Sequence, residues 1–271
     1  MWPPGMRAAA VLTFDFDAEE VWIADDPANA QRPGVLSQGR YGASVGVPLI
    51  LDLLEELDVG ATFFVPGAVA ARYPDRVRDM IAAGHEVALH GYTHRSPAAL
   101  TAAEEEDELL RSLETLRALG AEPAGYRSPS WDFSDRTVGL LDREGVLYSS
   151  NLMDDVRPYR HSGTSVLELP VHWLLDDAAH FWFDPVGSWT KTIAAPGTVL
   201  EIWRAELEGI RDLGGLFVLT MHPQIIGRPG RLAMLRGLVD TMQSHTDLWV
   251  ATAREVAVAA DAALESAGEE R

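Results

Sequence analysis

Two aspartates follow a predicted buried strand near the start of the chain, in the stretch VLTFDFDAEE at residues 11–20. The apolar and β-branched residues before them are typical of a strand, and Asp15 and Asp17 are two residues apart, so their side chains point to the same side of an extended chain. Two neighbouring carboxylates each raise the free-energy cost of ionising the other. The pattern therefore predicts a compensating charge beside them, and a bound cation is the first candidate.

The histidine pair of HGYTH, His90 and His94, could supply further ligands for that cation. A lone HxxxH spacing is a weak signal that more often marks structural or surface histidines, and the form with an internal Glu, typical of zinc proteases, is absent. His90, however, ends the apolar strand HEVALH, and Asp17 lies at the end of a strand of the same predicted sheet. Two histidines and one aspartate leave a coordination position open, which is the arrangement of a catalytic metal. Because the chain has no cysteine, any metal must be held by histidine and carboxylate, which suits zinc or another divalent transition ion.

Three further segments place polar or aromatic residues near the ends of predicted strands. They are GYRSPSW with Arg127, Pro129 and Trp131, VLELPV with Glu168, and LFVLTMHP with His222. Taken alone, an Arg after a strand is usually a surface ion pair and a Trp beside a Pro is usually part of the core. The carboxyl ends of parallel barrel strands meet on one face, where active sites are built. Five such groups at strand ends therefore favour one shared site.

Strand and helix patterns alternate along most of the chain, and these elements must position the site. The strand candidates begin near residues 11, 61, 85, 124, 145, 166, 216 and 247, and the helical patterns cover 47–57, 74–83, 101–120, 135–144, 199–214 and the tail after 252. This order predicts an α/β fold, a distorted (β/α) barrel with seven or eight parallel strands and helices outside. Residues 21–46, rich in Gly, Pro, Asn and Asp, are predicted to be irregular. No repeat or linker divides residues 1–271, so a single domain is expected.

Composition narrows the classes of partner. Lys and Arg number 22 and Asp and Glu 41, giving a net charge of −19, so nucleic acid is not expected to be a partner. The N-terminus shows no signal peptide, and no run of about 18 apolar residues predicts a membrane span. A cytoplasmic location without membrane attachment is therefore the expectation.

Together these segments resemble the NodB-type polysaccharide deacetylases, carbohydrate esterase family 4. The family motifs TFDDG, HSxxH, an Arg-Pro-aromatic loop and LxxH appear here as TFDFD, HGYTH, RSPSW and LTMHP, and the resemblance runs over nearly the whole chain. Phe16 separates the two aspartates that are adjacent in secreted members, and Glu168 stands where the family usually has Asp. The run from Gly39 to Gly67 looks like a leaderless branch that includes cyclic imide hydrolases and allantoinase-like proteins.

The resemblance implies roles for the residues that match the motifs. Asp17, His90 and His94 are expected to bind a divalent metal, with zinc as the first choice. Asp15 is expected to be the general base and His222 the general acid. The resemblance further implies that Arg127 pairs with Asp15 and that a backbone N–H after Pro129 contributes to an oxyanion site. Pro129 and Trp131 are expected to contact substrate, with Trp131 as a wall of the groove, and Glu168 to orient His222 or contact substrate. Six nearby carboxylates have no assigned role: solvated loops are expected for Asp25, Asp26, Asp176 and Asp177, with contact to substrate as the alternative, and loop positions are expected for Glu19 and Glu20.

The resemblance leaves the reaction open between two substrates. One is an N-acetylated amino sugar, and the other is a small linear or cyclic amide such as an imide or ureide, which the missing leader peptide favours. The alternative from another functional class is a non-catalytic carbohydrate-binding protein on the same barrel. Such a protein is expected to have lost a metal ligand or the general base, whereas all six polar motif residues are present here. The resemblance also implies a homo-oligomer.

Overall fold

The computed structural model describes residues 1–183 and 192–268. Within them a nine-stranded sheet carries the site. Its strands are β1 Ala8–Asp15, β2 Thr62–Val65, β3 Glu86–Leu89, β4 Gly125–Tyr126, β5 Tyr148–Ser149, β6 Tyr159–Arg160, β7 Leu167–Glu168, β8 Leu216–Met221 and β9 Leu248–Ala251. The helices are α1 Glu20–Asp25, α2 Pro33–Tyr41, α3 Val47–Leu57, α4 Gly67–Arg72, α5 Pro74–Ala82, α6 Ala102–Ala118, α7 Thr137–Arg143, α8 Asp177–Phe181, α9 Pro196–Leu213, α10 Pro223–Ile226, α11 Pro229–Ser244 and α12 Ala253–Ala267.

The sheet curls into a distorted (β/α) barrel, so the predicted fold class is confirmed. The strand order is β6-β7-β5-β4-β3-β2-β1-β8, and β9 pairs with the first half of β1 while β2 pairs with its end. Each of the eight predicted strands is present. The ninth, β6, runs antiparallel to β7, so the prediction of an all-parallel sheet is wrong at this edge. A parallel bridge between Asp176 and Thr220 brings the segment before α8 alongside β8.

Successive side chains of β1 point to opposite faces of the sheet. This alternation places them in two apolar clusters and determines the face on which Asp15 lies. Ala8, Ala10, Leu12 and Phe14 pack in the larger cluster, with α3, α9 and α11, whereas Ala9 and Val11 pack in a second cluster that includes residues of α12. Because successive strand residues point to opposite faces, Asp15 falls on the same face as Ala9 and Val11. The strand thus buries apolar side chains along its length and presents a carboxylate at its carboxyl end.

Local sequence signals account for most helix boundaries. Helix α6 begins with a capping box, in which Thr101 and Glu104 bond reciprocally to each other's backbone N–H. Helix α5 ends before Gly84, which adopts φ +81, a conformation that favours glycine. No helix within the described ranges combines the length and the apolar character needed to span a bilayer.

The prediction that residues 21–46 are irregular is wrong, because this segment forms α1, a 3₁₀ turn at Pro27–Gln31, α2 and a π-helical turn at Gly42–Gly46. Pro27 and Pro33 stand at the first positions of helices, where a missing N–H costs little. The glycines permit close packing, since a Cβ on Gly46 would lie 2.3 Å from the carbonyl oxygen of Pro223. The Gly- and Pro-rich composition therefore reflects helix starts and close approaches.

Candidate active site

The chemically distinctive side chains converge on one cavity at the carboxyl ends of the strands. Asp15 is the last residue of β1, and Asp17 follows two residues later. His90 directly follows β3, and His222 directly follows β8. These four residues and His94 line a cavity of about 580 Å³. Parallel strands bring together residues that are up to about two hundred positions apart in sequence.

Asp17, His90 and His94 form a group with the spacing of a metal site. Asp17 Oδ1 lies 3.4 Å from His90 Nε2 and 3.5 Å from His94 Nε2. Both carboxylate oxygens of Asp17 are buried and have no hydrogen-bond partner among the described residues. A buried, unpaired carboxylate is costly unless a cation compensates it. His90 Nδ1 donates to the carbonyl of Arg127 at 2.7 Å, which leaves its Nε2 lone pair facing Asp17.

The electrostatics of this group also fit a cation. Burial lowers the pKa of His94 to about 4, so its imidazole is neutral and can act as a ligand. Burial opposes ionisation of Asp17, but His94, His90 and His222 outweigh it and hold its pKa at about 2. Burial also lowers the pKa of His90, yet Asp15 and Asp17 outweigh it and the net shift is upward. The residues present could therefore provide ligands for a divalent ion, which would offset the charge of the buried Asp17 carboxylate.

The second aspartate, Asp15, is held by a fully buried arginine. Arg127 is 0% exposed, and its Nη1 donates to Asp15 Oδ1 at 2.8 Å and to Thr13 Oγ1 at 2.7 Å. Its Nη2 donates to Ser150 Oγ at 3.0 Å, and its guanidinium stacks 4.2 Å above the Phe64 ring. The ion pair expected between Arg127 and Asp15 is therefore present. It orients one oxygen of Asp15 and leaves the other on the side of His90, 3.9 Å from Nε2.

His222 is oriented by Asp177 rather than by Glu168. Asp177 Oδ1 accepts from His222 Nδ1 at 2.7 Å, and its Oδ2 accepts from the His222 backbone N–H at 3.0 Å. Burial alone would lower the pKa of His222, but Asp177, Asp176 and Asp17 outweigh it and raise this pKa well above its ordinary value. Nε2 of His222 lies 3.7 Å from Asp17 Oδ2, so the His222 imidazole faces the group formed by Asp17, His90 and His94.

Comparison with known proteins places this geometry in a family. The polysaccharide deacetylase family model matches residues 39–148. A solved structure from Mycobacterium smegmatis, assigned to the polysaccharide deacetylases, is 43% identical, covering 97% of this chain and 93% of its own, with a TM-score of 0.94. The chain belongs to the polysaccharide deacetylase family.

The Helicobacter pylori peptidoglycan deacetylase is 29% identical over 90% of this chain and 92% of its own length. The solved PuuE allantoinase, 24% identical with a TM-score of 0.81 over 95% of this chain and 91% of its own, shares the fold.

Glu168 differs from the family residue and lies away from the cavity, so the prediction that it orients His222 or contacts substrate is wrong. Glu168 is 0% exposed. Its carboxylate accepts from the backbone N–H groups of Asn151 and Leu152 at 2.5 and 2.8 Å, from Ser149 Oγ at 2.6 Å and from His161 Nε2 at 2.9 Å. These contacts satisfy the carboxylate completely. Glu168 anchors the turn after β5 to β7.

The loop that matches the family's Arg-Pro-aromatic motif contributes Ser130 and Trp131 to the cavity, while Pro129 is buried and does not line it. Ser130 and Trp131 adopt φ +60 and +55, an uncommon conformation that turns the chain sharply after Pro129. The Trp131 ring lies 4.5 Å from that of Trp173, so Trp131 does form a wall of the cavity. The prediction that Pro129 contacts substrate is not supported by its position.

Several residues that sequence reasoning passed over also line this polysaccharide deacetylase cavity. A second aromatic pair joins Trp22 of α1 to Trp182, with ring centroids 5.0 Å apart. Trp173 and Trp182 lie on either side of the DDAAH segment, so a cluster of tryptophans around two aspartates was the available signal. Asp177 was passed over because its contact with His222 spans 45 positions, a separation that spacing alone does not reveal.

The carboxylates expected in solvated loops divide into two groups. Asp176 and Asp177 are buried, and burial raises the pKa of Asp176 to about 7, with Asp177 adding to the increase. Glu19 and Glu20 are also buried, in contact with Arg72 and Tyr73. The prediction of a solvated loop is therefore wrong for Asp176 and Asp177. Glu19 does lie in a turn, as predicted, whereas Glu20 is the first residue of α1. Asp25 and Asp26 are exposed, and Asp25 lines the cavity.

Proposed function

We propose that this protein is a metal-dependent hydrolase that removes the N-acetyl group from an amino sugar. The observation that carries the proposal is the buried Asp17 carboxylate, which faces two histidines and has no hydrogen-bond partner in the part of the chain that the structure describes. The paired residues Asp15–Arg127 and His222–Asp177 stand beside it. The named activities of the full-length Helicobacter relative and of the family support an amide bond of an N-acetyl sugar as the target.

Asp17, His90 and His94 would hold the divalent ion, with zinc as the first choice for a His₂Asp set. When bound, such an ion supplies Lewis-acid activation of an amide carbonyl and of water. His90 is pre-oriented for this task by its bond to the Arg127 carbonyl, and Arg127 therefore contacts both the ligand set and Asp15. The Ser130 N–H, just after Pro129, would donate to the developing oxyanion.

Asp15 would take the proton of the attacking water. The hydrogen bond from the Arg127 guanidinium fixes one oxygen of Asp15, so the other is available to accept a proton. His222, kept protonated by Asp177, would then donate its Nε2 proton to the leaving nitrogen. The tryptophan pairs Trp131–Trp173 and Trp22–Trp182 would hold the apolar faces of the substrate.

Asp177→Asn is expected to move the alkaline limb of the kcat/KM pH profile to lower pH. A general acid works only while protonated, so activity is lost as the pH rises through the His222 pKa, and removal of the Asp177 carboxylate lowers that pKa. We expect kcat near neutrality to fall about 10-fold or more, with the roughly 10²–10⁴-fold contribution of a general acid as the upper limit. Asp26→Asn, which alters an exposed helix-capping aspartate, is the control and should leave the profile unchanged. An unaltered alkaline limb in Asp177→Asn would rule out this role for Asp177.

A small amide or cyclic imide is the second candidate substrate. The observation that favours it is the cavity itself, whose volume of about 580 Å³ and tryptophan walls suit a single small ligand. A non-catalytic carbohydrate-binding role is disfavoured because the residues proposed as metal ligands, base and acid all line one cavity.

A turnover screen of the zinc-loaded protein separates these functions. Chitooligosaccharides and peptidoglycan fragments would be assayed for acetate release, and succinimide, hydantoin and allantoin for ring opening. The proposal predicts acetate release from an N-acetylated sugar. Ring opening without acetate release would replace it by the second candidate, and binding without turnover on every substrate would support the non-catalytic alternative.

A further inference from the structure

The acidic pair that follows Asp17 takes no part in the chemistry proposed above, yet both side chains are buried. Glu19 is 6% and Glu20 5% exposed. The Tyr73 hydroxyl lies 2.8 and 2.9 Å from the two carboxylate oxygens of Glu19, and Arg72 lies 3.6 Å from Glu19 and 2.5 Å from Glu20. Burying two carboxylates is costly unless they are hydrogen-bonded and paired, and Arg72 and Tyr73 meet both needs. We call Glu19, Glu20, Arg72 and Tyr73 the acidic clamp.

The acidic clamp is attached to the histidine ligands through α4. Arg72 is the last residue of α4, and Tyr73 is its C-cap. At the other end of α4, the Gly67 N–H donates to the Gly91 carbonyl at 3.0 Å and the Ala68 N–H donates to the Tyr92 carbonyl at 2.9 Å. Gly91 and Tyr92 lie between His90 and His94. Helix α4 therefore connects the segment that carries both histidines to the residues that hold Glu19 and Glu20.

The clamp is attached to the aspartate ligand by a tight turn. Ala18, between Asp17 and Glu19, adopts φ +46, and the Glu20 N–H donates to the Asp17 carbonyl at 2.9 Å. The turn is closely packed, because a Cβ on Gly39 would lie 2.5 Å from the Ala18 carbonyl carbon. A displacement of Glu19 would therefore be transmitted to the Asp17 backbone.

From these contacts we infer that Glu19 and Tyr73 are positioning residues for the metal group. They hold the Asp17 loop at a fixed distance from the His90–His94 segment, with α4 as the rigid connection. The inference rests on the proposed function, since it requires that Asp17, His90 and His94 bind a metal. Residues that orient metal ligands from outside the ligand set typically contribute about 10–100-fold to metal affinity.

The test measures zinc affinity by competition with a chromogenic chelator for wild type, Tyr73→Phe, Glu19→Gln and the double variant. Tyr73→Phe removes only the hydroxyl and keeps the ring that packs on Phe16, with centroids 6.1 Å apart. We expect each single variant to raise the zinc Kd about 10-fold or more. The zinc Kd of the double variant should be no higher than the higher of the two single-variant values, because Glu19 and Tyr73 act through one contact.

Tyr41→Phe is the matched control. Tyr41 also donates its hydroxyl, to the Gly227 carbonyl at 2.9 Å, but this bond does not contact the ligand loops. Its zinc Kd should equal that of wild type, while thermal melting of all variants records any loss of stability. Wild-type zinc affinity in both single variants would overturn the inference, as would an equal loss in Tyr41→Phe. If wild-type protein itself binds no stoichiometric zinc, the proposed function fails, and the inference fails with it.

Discussion

Asp15→Asn is expected to lower kcat by about 10²–10⁴-fold, the usual contribution of a general base, while the metal content of the protein is unchanged. The Asn side chain can still accept from Arg127, but it cannot take a proton from water. The metal would remain, because Asp17, His90 and His94 are untouched. Initial rates and metal content of the same preparations would be measured side by side.

Asp25→Asn is the control for Asp15→Asn, because Asp25 lines the same cavity, is exposed and has no proposed role in proton transfer. It should keep kcat within a few-fold of wild type. Asp15→Asn also leaves the buried Arg127 beside a neutral partner, which destabilises the fold, so both variants would be assayed well below their melting temperatures. A folded Asp15→Asn protein with wild-type turnover would show that another group is the base.

His94→Ala is expected to abolish both metal binding and turnover. His94 would contribute one of the three ligand atoms, and its burial, which lowers the imidazole pKa to about 4, would keep that ligand neutral. Because partners outside the ligand set already contribute about 10–100-fold to metal affinity, loss of a ligand should raise the metal Kd by more than about 100-fold. Isothermal titration of the metal-free variant with zinc measures this directly.

His245→Ala is the matched control for His94→Ala. His245 follows α11 and pairs with Glu208 at 2.8 Å, and it takes no part in the cavity. Its zinc affinity and turnover should match wild type. Retention of one tightly bound zinc ion by a folded His94→Ala protein would remove His94 from the ligand set.

The parts of the site that follow from strand geometry were predictable from sequence. The two-residue spacing of Asp15 and Asp17, the apolar strand before His90 and the LTMHP segment each place a polar group at the carboxyl end of a strand. Their convergence then follows from the alternating order of strands and helices. The ion pair between Arg127 and Asp15 came from family resemblance, since nothing local in RSPSW identifies its partner 112 positions away.

The remaining features depend on contacts that sequence spacing does not encode. Asp177 contacts His222 because the segment before α8 pairs with β8 at Thr220. The Glu168 carboxylate instead accepts hydrogen bonds from backbone amides of the turn after β5. Glu19 and Glu20 can be buried because Arg72 and Tyr73, at the C-terminal end of α4, donate hydrogen bonds to their carboxylates. From the sequence alone, polar residues of this kind cannot be distinguished from polar residues in solvated loops, because the distinction depends on their tertiary contacts. The two-residue strand β6 is likewise too short to produce a periodic pattern.

Stepwise reconstitution with metal tests the central claim most directly. Protein stripped by a chelator and shown to be metal-free would receive increasing zinc, and acetate release from chitooligosaccharides and peptidoglycan fragments would be followed. The account predicts background activity in the metal-free protein and a rise that saturates at one zinc ion per chain. Full acetate release by the metal-free protein, or background release with one ion bound per chain, would contradict it.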